Sequence, residues 1–122
     1  MTTRRHAPDD FLPLTHLGFH VLLALVDQPL HGYAIVRAVR QASQGKVDPG
    51  TGSFYSVVRG LAEQALVEPV ESPDAGAPDR RQYYAITALG RRVLAAESAR
   101  LAGLVREVQR RGVRHPLKGG GR

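Results

Sequence analysis

A helix, a short strand, a turn-rich loop and a second strand follow one another in the middle of this chain, and this order most constrains its fold. Residues 53–65 carry an apolar stripe at helical spacing, which predicts a helix. Residues 66–71 and 80–87 are short and rich in β-favouring side chains, with proline and glycine in the loop between them. The stripe of the helix consists of Phe54, Val57, Val58 and Leu61. The sequence therefore predicts a mainly α fold with a small two-stranded β wing, a winged helix-turn-helix.

Two more helices are predicted before this unit. Apolar residues recur at helical spacing after Pro13 and stop at an Asp-Gln-Pro turn, which predicts a first helix that faces the core. A second helix is predicted at residues 31–43, and turn residues at 46–52 separate it from the third. The inward positions of the second helix are Ile35, Val39 and Ala42. The N-cap of the third helix is assigned to Thr51 or Ser53, whose hydroxyls can accept from free amides.

A long final helix is predicted at residues 88–111. Apolar side chains recur in it at seven-residue spacing over roughly three heptads, where a coiled-coil interpretation begins. A small domain cannot cover that stripe along its whole length, so we expect a two-fold homodimer formed through this helix with help from the first. The predicted dimer interface comprises Leu17, Val21, Leu94, Leu101, Leu104, Val105 and Val108.

Four segments follow from these assignments. Residues 1–10 are polar and residues 112–122 are rich in glycine and basic side chains, so both are predicted to be disordered because they bury too little to offset the entropy of ordering. Residues 11–87 form the predicted winged helix-turn-helix DNA-binding domain. Residues 88–111 form the C-terminal dimerisation helix.

The charge balance favours a polyanionic partner. The chain carries 17 Lys and Arg against 11 Asp and Glu, a formal charge of +6. Residues 88–122 alone carry +7, and their arginines are most simply the solvated face of a long helix.

The absence of cysteine excludes disulfides and thiolate metal sites. The longest apolar stretch, residues 21–26, is too short for a bilayer, so we expect a cytoplasmic protein without a membrane anchor.

Candidate DNA contacts cluster on the third helix and the wing. Hydroxyl and guanidinium groups opposite the apolar stripe can reach base edges or phosphates in a major groove, while a wing touches the backbone or minor groove. The candidates are Tyr33, Lys46, Thr51, Ser53, Tyr55, Ser56, Arg59, Arg80 and Arg81. Three alternatives stay open: a capped, solvated face for the third helix, half-buried packing for Tyr33, and salt pairing with nearby acidic residues for the two wing arginines.

Metal, cofactor and catalytic signals are weak. His16 and His20 lie four residues apart, a spacing that can hold a metal on one helix face. No Cys or carboxylate stands beside them, so a core or interface role is favoured and no metal is assigned. The glycine-containing run at residues 50–53 lacks the Gly-Lys-Ser/Thr ending of a phosphate loop, and no nucleophile and base stand together. We expect neither catalysis nor a cofactor.

Four motifs support a more specific identification. They are Phe-His-Val-Leu-Leu-Ala-Leu at residues 19–25, His-Gly-Tyr-Ala-Ile at 31–35, Gly-Ser-Phe-Tyr at 52–55 and Arg-Gln-Tyr-Tyr-Ala-Ile-Thr at 81–87. Leu61, Leu66-Val67 and Leu89-Gly90 stand at the expected places between and after them. With these motifs the chain resembles the PadR family of transcriptional regulators over residues 11–108.

The resemblance implies a short family member with one helix after the wing. It implies a winged helix-turn-helix dimer that binds an inverted-repeat operator in double-stranded DNA, usually to repress, and is released by a small-molecule effector or other signal. Ser53 and Phe54 replace the family's usual Thr-Leu, and Ser56 replaces a frequent proline, so the family's sequence preference does not carry over. The alternative is a winged-helix module that binds another protein instead of an operator.

Overall fold

The computed structural model describes residues 7–73 and 81–114. Its elements in chain order are a 3₁₀ turn at Pro8–Phe11, α1 at His16–Ala24, β1 at Leu30–His31, α2 at Gly32–Ala42, α3 at Thr51–Glu63, β2 at Val67–Val70, β3 at Tyr83–Ile86 and α4 at Ala88–Arg110. The fold is mainly helical with a small antiparallel sheet, which confirms the predicted class. Within the described ranges, no helix combines the length and apolar character that crossing a membrane requires.

The core lies where the apolar stripes of the first three helices meet. Leu22 of α1, Ile35 of α2 and Phe54 of α3 are almost completely buried. The predicted stripes of all three helices therefore face inward, with one exception. Ala42 is exposed, because it is the last residue of α2 and the chain turns away there through the left-handed residues Gln44 and Gly45.

The sheet has three strands rather than the two predicted. β2 and β3 pair antiparallel, with Val67 opposite Ile86, and β1 pairs with the other edge of β3, with Leu30 opposite Tyr84. A two-residue strand is too short to show period-two alternation, so the sequence carried no signal for β1. Its consequence is that the start of α2 is joined directly to the wing.

The predicted disordered N-terminal segment is partly ordered. Pro8–Phe11 form a 3₁₀ turn that lies against α4, and Phe11 and Leu12 pack onto the core. The side chain of Asp10 accepts a hydrogen bond from the amide of Ala7 at 3.0 Å, which closes the turn. At the other end, residues 112–114 form a turn after α4. Residues 1–6 and 115–122 lie outside the described residues.

The start of α4 is fixed against β2 by a close backbone approach. Thr87 caps α4 by accepting from the amide of Gly90, and its hydroxyl donates to the carbonyl of Ala65 at 2.7 Å. A Cβ at Gly90 would lie 2.1 Å from the carbonyl oxygen of Leu66, closer than atoms can approach. Only glycine therefore allows α4 to leave the sheet in this direction.

A buried carboxylate holds the middle of α4. Glu97 is 2% exposed, and it accepts hydrogen bonds from the Leu14 amide at 3.0 Å and from Arg100 at 2.6 and 2.9 Å. The Arg100 guanidinium, helped by the Leu14 amide, holds the pKa of Glu97 below its usual value, although burial opposes this. Beyond Glu97, α4 has no buried residue, so its last turns project from the domain.

Candidate nucleic-acid interface

The outward face of α3 is polar and accessible. Ser53, Tyr55, Ser56 and Arg59 are all exposed, while Phe54 faces the core. The helix begins at Thr51 with Gly50 as N-cap, and no side chain caps it, so the predicted N-cap role of Thr51 or Ser53 is wrong. Glycine is itself acceptable at this position, and it leaves the first amides of α3 available to an anion such as a phosphate.

The N-terminus of α2 lies against the first turns of α3. A Cβ at Gly32 would meet the Phe54 ring at 3.4 Å and the Tyr55 hydroxyl at 3.6 Å. The Phe54 and Tyr55 rings themselves stand edge to face, with centroids 5.1 Å apart. The small residue at the start of α2 therefore lets the Tyr55 hydroxyl sit beside the end of a second helix.

Tyr33 projects from the protein instead of packing into it. It is 61% exposed and stacks parallel to His31, with ring centroids 6.4 Å apart. The guanidinium carbon of Arg37 lies 5.2 Å from the Tyr33 ring centroid, a cation–π distance. Half-buried packing of Tyr33 is thus excluded. A groove of about 300 Å³ runs beside it, lined by Gly32, Tyr33, Val36, Arg40, Pro49, Phe54 and Tyr55.

His31 connects α2 to the wing. Its Nδ1 accepts from the amide of Ala34 at 3.2 Å, which caps α2, and its Nε2 lies 2.9 Å from a guanidinium nitrogen of Arg81. A neutral imidazole has one acceptor nitrogen and a guanidinium only donates, so the two contacts compete for one lone pair. The contact nevertheless places Arg81, which is exposed, next to the start of α2.

Of the two remaining predicted DNA contacts, Lys46 lies within the described residues and Arg80 does not. Lys46 is exposed in the turn between α2 and α3, and the ion pair between Arg40 and Asp48, at 2.7 Å, spans that turn. Arg80 falls outside the described residues.

Sequence reasoning missed His31 and Arg37 as members of this surface. The four-residue spacing of Tyr33 and Arg37 on one helix was a usable signal, whereas the role of His31 depends on β1.

The predicted dimer residues divide into two groups. Leu101, Leu104, Val105 and Val108 are exposed on the projecting part of α4. Leu17 and Leu94 are partly buried against the core of their own protomer, and Val21 is completely buried there. The assignment of Val21 to an interface is therefore wrong, because no surface of it is left for a partner. Leu23, which is exposed on α1, was missed.

The outward face of α1 carries two histidines in contact. The His16 and His20 rings stand edge to face with centroids 4.9 Å apart. The pKa of His20 is lowered, mainly by burial and further by the charge of His16. Nδ1 of His20 is shielded from solvent and has no hydrogen-bond partner in the described part of the chain. Buried polar atoms without partners are rare, so this atom calls for an explanation.

Comparisons with known proteins agree with this architecture. An X-ray structure of a PadR-like transcription factor from Bacteroides fragilis superposes with a TM-score of 0.62 at 26% identity, covering 79% of this chain and 89% of that one. RosR from H. salinarum gives a TM-score of 0.60 at 26% identity over 84% and 87% of the two chains. A PadR family regulator from Clostridium difficile gives 0.67 at 16% identity over 78% and 96%, a likeness of fold.

A curated relative and a family model complete the comparison. An uncharacterised 37.1 kDa protein of transposon Tn4556 from Streptomyces fradiae is 40% identical over 90 residues, 71% of this chain, and the chain spans only 24% of that protein's length. The model of the transcriptional regulator PadR-like family matches residues 21–96, from α1 through the wing into α4. The resemblance inferred from the motifs is confirmed, and the expectation of a transcriptional regulator agrees with the description of the family. This chain belongs to the PadR-like family of transcriptional regulators.

Proposed function

We propose that this chain is a homodimeric, operator-specific repressor whose α3 enters the major groove. The observation that carries the proposal is the exposed polar face of α3, with Tyr33 of α2 lining one groove together with Phe54 and Tyr55 of its first turns. Ser53, Ser56 and Arg59 offer hydroxyl and guanidinium donors to base edges and phosphates. The uncapped amides at the start of α3 offer a further phosphate site.

The wing supplies the second part of the proposed interface. Arg81 lies two residues before β3 and contacts His31 at the start of α2, so a guanidinium lies next to the helix that flanks α3. A cation at this position suits a phosphate that flanks the groove occupied by α3. Arg80 and Lys46 are proposed as further phosphate contacts on the strength of their charge.

Two observations support the proposed dimer. The exposed apolar residues of α4 lie on one stripe beyond the last buried position of that helix, and an exposed patch of this kind marks an association surface. α1 contains no charged residue, and helices that are apolar all round are normally covered. A two-fold pair would set two α3 helices against half-sites of an inverted repeat, roughly 34–36 Å apart.

Release by a signal is proposed to act through α4. The Glu97 contact and the Gly90 approach fix α4 to its own domain, so a change in how two α4 helices pack would move the two domains relative to each other. A small-molecule effector that favours one packing must change operator affinity by the same factor by which the operator changes effector affinity. A ligand that binds tightly and leaves operator affinity unchanged would rule out this mechanism.

The test is binding of the purified protein to the DNA upstream of its own gene, against scrambled DNA of equal length, across a salt series. The proposal expects a sequence-selective component that survives near-physiological salt. Equal, steeply salt-dependent binding to both would leave only the non-specific attraction of a basic chain. A reporter fused to the selected upstream DNA then distinguishes repression from activation.

A second candidate, a module that docks its α4 onto another protein, is favoured by the same exposed stripe on α4. Light scattering separates the two proposals. The repressor should have twice the 13.3 kDa chain mass, whereas a docking module would be a monomer in isolation. A monomer that also fails to select its upstream DNA would replace the first proposal with the second.

A further inference from the structure

The imidazole of His31 is held in one orientation by its neighbours. The Tyr33 ring stacks parallel to it, with centroids 6.4 Å apart, and the Tyr83 ring meets it edge to face at 5.3 Å. Its Nδ1 accepts a hydrogen bond from the amide of Ala34, 3.2 Å away, and this bond caps α2. A flip of the ring would remove the cap, so the second nitrogen, Nε2, stays directed at the guanidinium of Arg81.

The contact between His31 and Arg81 sets two donors against each other. Nε2 of His31 lies 2.9 Å from a guanidinium nitrogen of Arg81, which can only donate. A neutral imidazole that accepts from Ala34 at Nδ1 carries its proton on Nε2. The opposite tautomer would move the same conflict to the Ala34 amide, which α2 holds in place. The conflict therefore lies at Arg81, whose exposed side chain has the freedom to adjust.

Two converging N–H donors are the chemistry that binds an oxyanion. An oxygen atom placed between the Nε2–H of His31 and the guanidinium of Arg81 accepts from both, so it replaces one repulsive contact with two favourable ones. Charge-assisted hydrogen bonds to phosphate oxygens are among the stronger ones in proteins. Arg37, whose guanidinium carbon lies 5.2 Å from the Tyr33 ring centroid, adds a second cation on the neighbouring face of α2. This pair therefore has the chemistry of an anion site.

The position of the pair fits a phosphate of the DNA backbone. His31 precedes Gly32, and a Cβ at Gly32 would lie 3.6 Å from the hydroxyl of Tyr55 on α3. Because consecutive Cα atoms are about 3.8 Å apart, the Cα of His31 lies within roughly 9 Å of that hydroxyl. In helix-turn-helix proteins the helix before the recognition helix crosses the DNA backbone. An anion between His31 and Arg81 is then most simply a phosphate of the strand that borders the groove.

We propose that His31 binds a DNA phosphate jointly with Arg81, in addition to capping α2. Nδ1 keeps the hydrogen bond from the Ala34 amide, Nε2–H donates to one phosphate oxygen, and the guanidinium of Arg81 donates to the same phosphate. The inference deepens the proposed DNA binding and rests on it. The shared phosphate is bound fully only when the wing and the start of α2 are both in place, so His31 links the positions of these two segments on DNA.

Two substitutions in the full-length protein separate the two nitrogens of His31. In His31→Asn the amide reaches only the place of Nδ1, so asparagine, a favoured N-cap residue, keeps the cap and loses the donor. In His31→Gln the longer amide reaches the place of Nε2, so the variant keeps a donor and loses the cap. His31→Asn should unfold in urea like the wild type but bind DNA about tenfold more weakly, as for one hydrogen bond to a charged group. His31→Gln should be less stable, with affinity near that of the wild type.

Salt dependence distinguishes the imidazole from the guanidinium. His31 acts as a neutral donor, so His31→Asn should weaken binding to operator and scrambled DNA alike and leave the slope of log affinity against log salt unchanged. Arg81→Ala should reduce the magnitude of that slope by about 0.9. In the double variant the loss should be smaller than the product of the two single losses, since either change alone already damages the shared contact. Losses that multiply would show two independent contacts and overturn the shared phosphate.

Phosphate ethylation locates the contact on the operator. Sparsely ethylated upstream DNA is mixed with each protein, and the modified positions are compared between the bound and the free fraction. One phosphate in each half-site should interfere with binding of the wild type and no longer interfere with binding of either His31→Asn or Arg81→Ala. Different phosphates for the two variants, or the same pattern as the wild type in both, overturn the proposal.

The remaining outcomes separate this inference from the proposed function. Selective operator binding by the wild type, with unchanged affinity in a folded His31→Asn variant, overturns the phosphate contact and leaves the regulator standing. Equal binding of the wild type to both DNAs overturns operator selectivity, while a loss of affinity in His31→Asn still supports the contact. A wild type that binds neither DNA overturns both. Inorganic phosphate that binds the wild type but not His31→Asn, with DNA affinity unchanged, assigns the site to a free anion and overturns the DNA contact.

Discussion

The amide of Leu14 donates a hydrogen bond to the carboxylate of Glu97 across 83 positions of sequence, at 3.0 Å. Arg100, one turn further along α4, donates two more to the same carboxylate. A buried carboxylate is costly unless its oxygens are paired, and these three donors pair it. The contact joins the segment before α1 to the middle of α4, so it fixes the direction of the helix on which the proposed dimer depends.

Replacing Glu97 with Gln should lower stability and flatten its response to acid. The pKa of Glu97 is lowered in the folded protein, so its contribution is present above the unfolded value and is lost as pH falls through the folded value. The loss at neutral pH should be about 2 kcal/mol, as for hydrogen bonds to charged groups. Urea unfolding at several pH values should show the gap between wild type and variant closing below about pH 4.3, the ordinary glutamate value.

Glu107→Gln is the matched control for this change. Glu107 pairs with Arg110 and Arg111 on the exposed end of α4, and surface ion pairs contribute little. Its unfolding curve should stay close to that of the wild type. Equal losses in the two variants would mean that the Leu14 contact contributes nothing beyond an ordinary surface charge.

The sequence predicted the helices well because burial imposes a period of 3.6 on them. It could not separate Val21 from Leu101, since both are apolar residues at helical spacing and only the fold decides which one the protomer itself covers. Glu97 was not predicted to be buried, because a charged residue is exposed by default unless distant donors reach it. The Leu14 amide is such a donor, and nothing in the local sequence marks it.

The sequence predicted which residues belong to the candidate DNA interface better than it predicted how they lie relative to one another. The exposed positions of α3 followed from the position of its stripe, and Tyr33 was identified but not its orientation. The link from His31 to Arg81 depends on strand pairing between two segments 50 residues apart, which no short-range pattern records. The DNA contact assigned to Arg80 on the wing stays a prediction, because Arg80 lies outside the described residues.

Gly90→Ala should destabilise the protein by roughly 2 kcal/mol or more, because overpacking against rigid backbone forces the elements apart. The added carbon would meet the Leu66 carbonyl, which belongs to the joint between α3 and β2. Thermal and chemical unfolding measure the loss. Gly60→Ala, inside α3 with nothing near its missing Cβ, should instead raise stability by up to about 1 kcal/mol. A Gly90 variant as stable as that control would contradict the close approach.

Arg81→Ala should weaken binding to all DNA sequences by a similar factor. A phosphate contact carries no base information, so operator and scrambled DNA should be affected alike. The slope of log affinity against log salt should fall in magnitude by about 0.9, the release expected for one phosphate. Arg111→Ala removes the same charge from the far end of α4 and serves as the control. A loss confined to the operator would mean that Arg81 reads sequence.

Arg59→Ala should weaken operator binding by about 1–3 kcal/mol and relax the preference at one base pair. Arg59 is exposed on the outward face of α3, while Phe54 and Val58 of the same helix are buried in the core. Affinities are measured for a panel of operators that carry single base changes. If every operator loses affinity equally, Arg59 contacts a phosphate. The base contacts must then come from Ser53, Tyr55 or Ser56.

Leu104→Glu should break the dimer without unfolding the domain. Leu104 is 51% exposed on the projecting part of α4, so a charge there costs the isolated protomer little and would be buried only between two copies. Light scattering should give the chain mass, while circular dichroism keeps the wild-type helix signal. Operator affinity should fall because a single α3 can occupy only one half-site. Ala102→Glu, exposed but off the apolar stripe, should leave both mass and affinity near those of the wild type. A dimeric Leu104 variant with intact operator binding would move the subunit interface away from this end of α4.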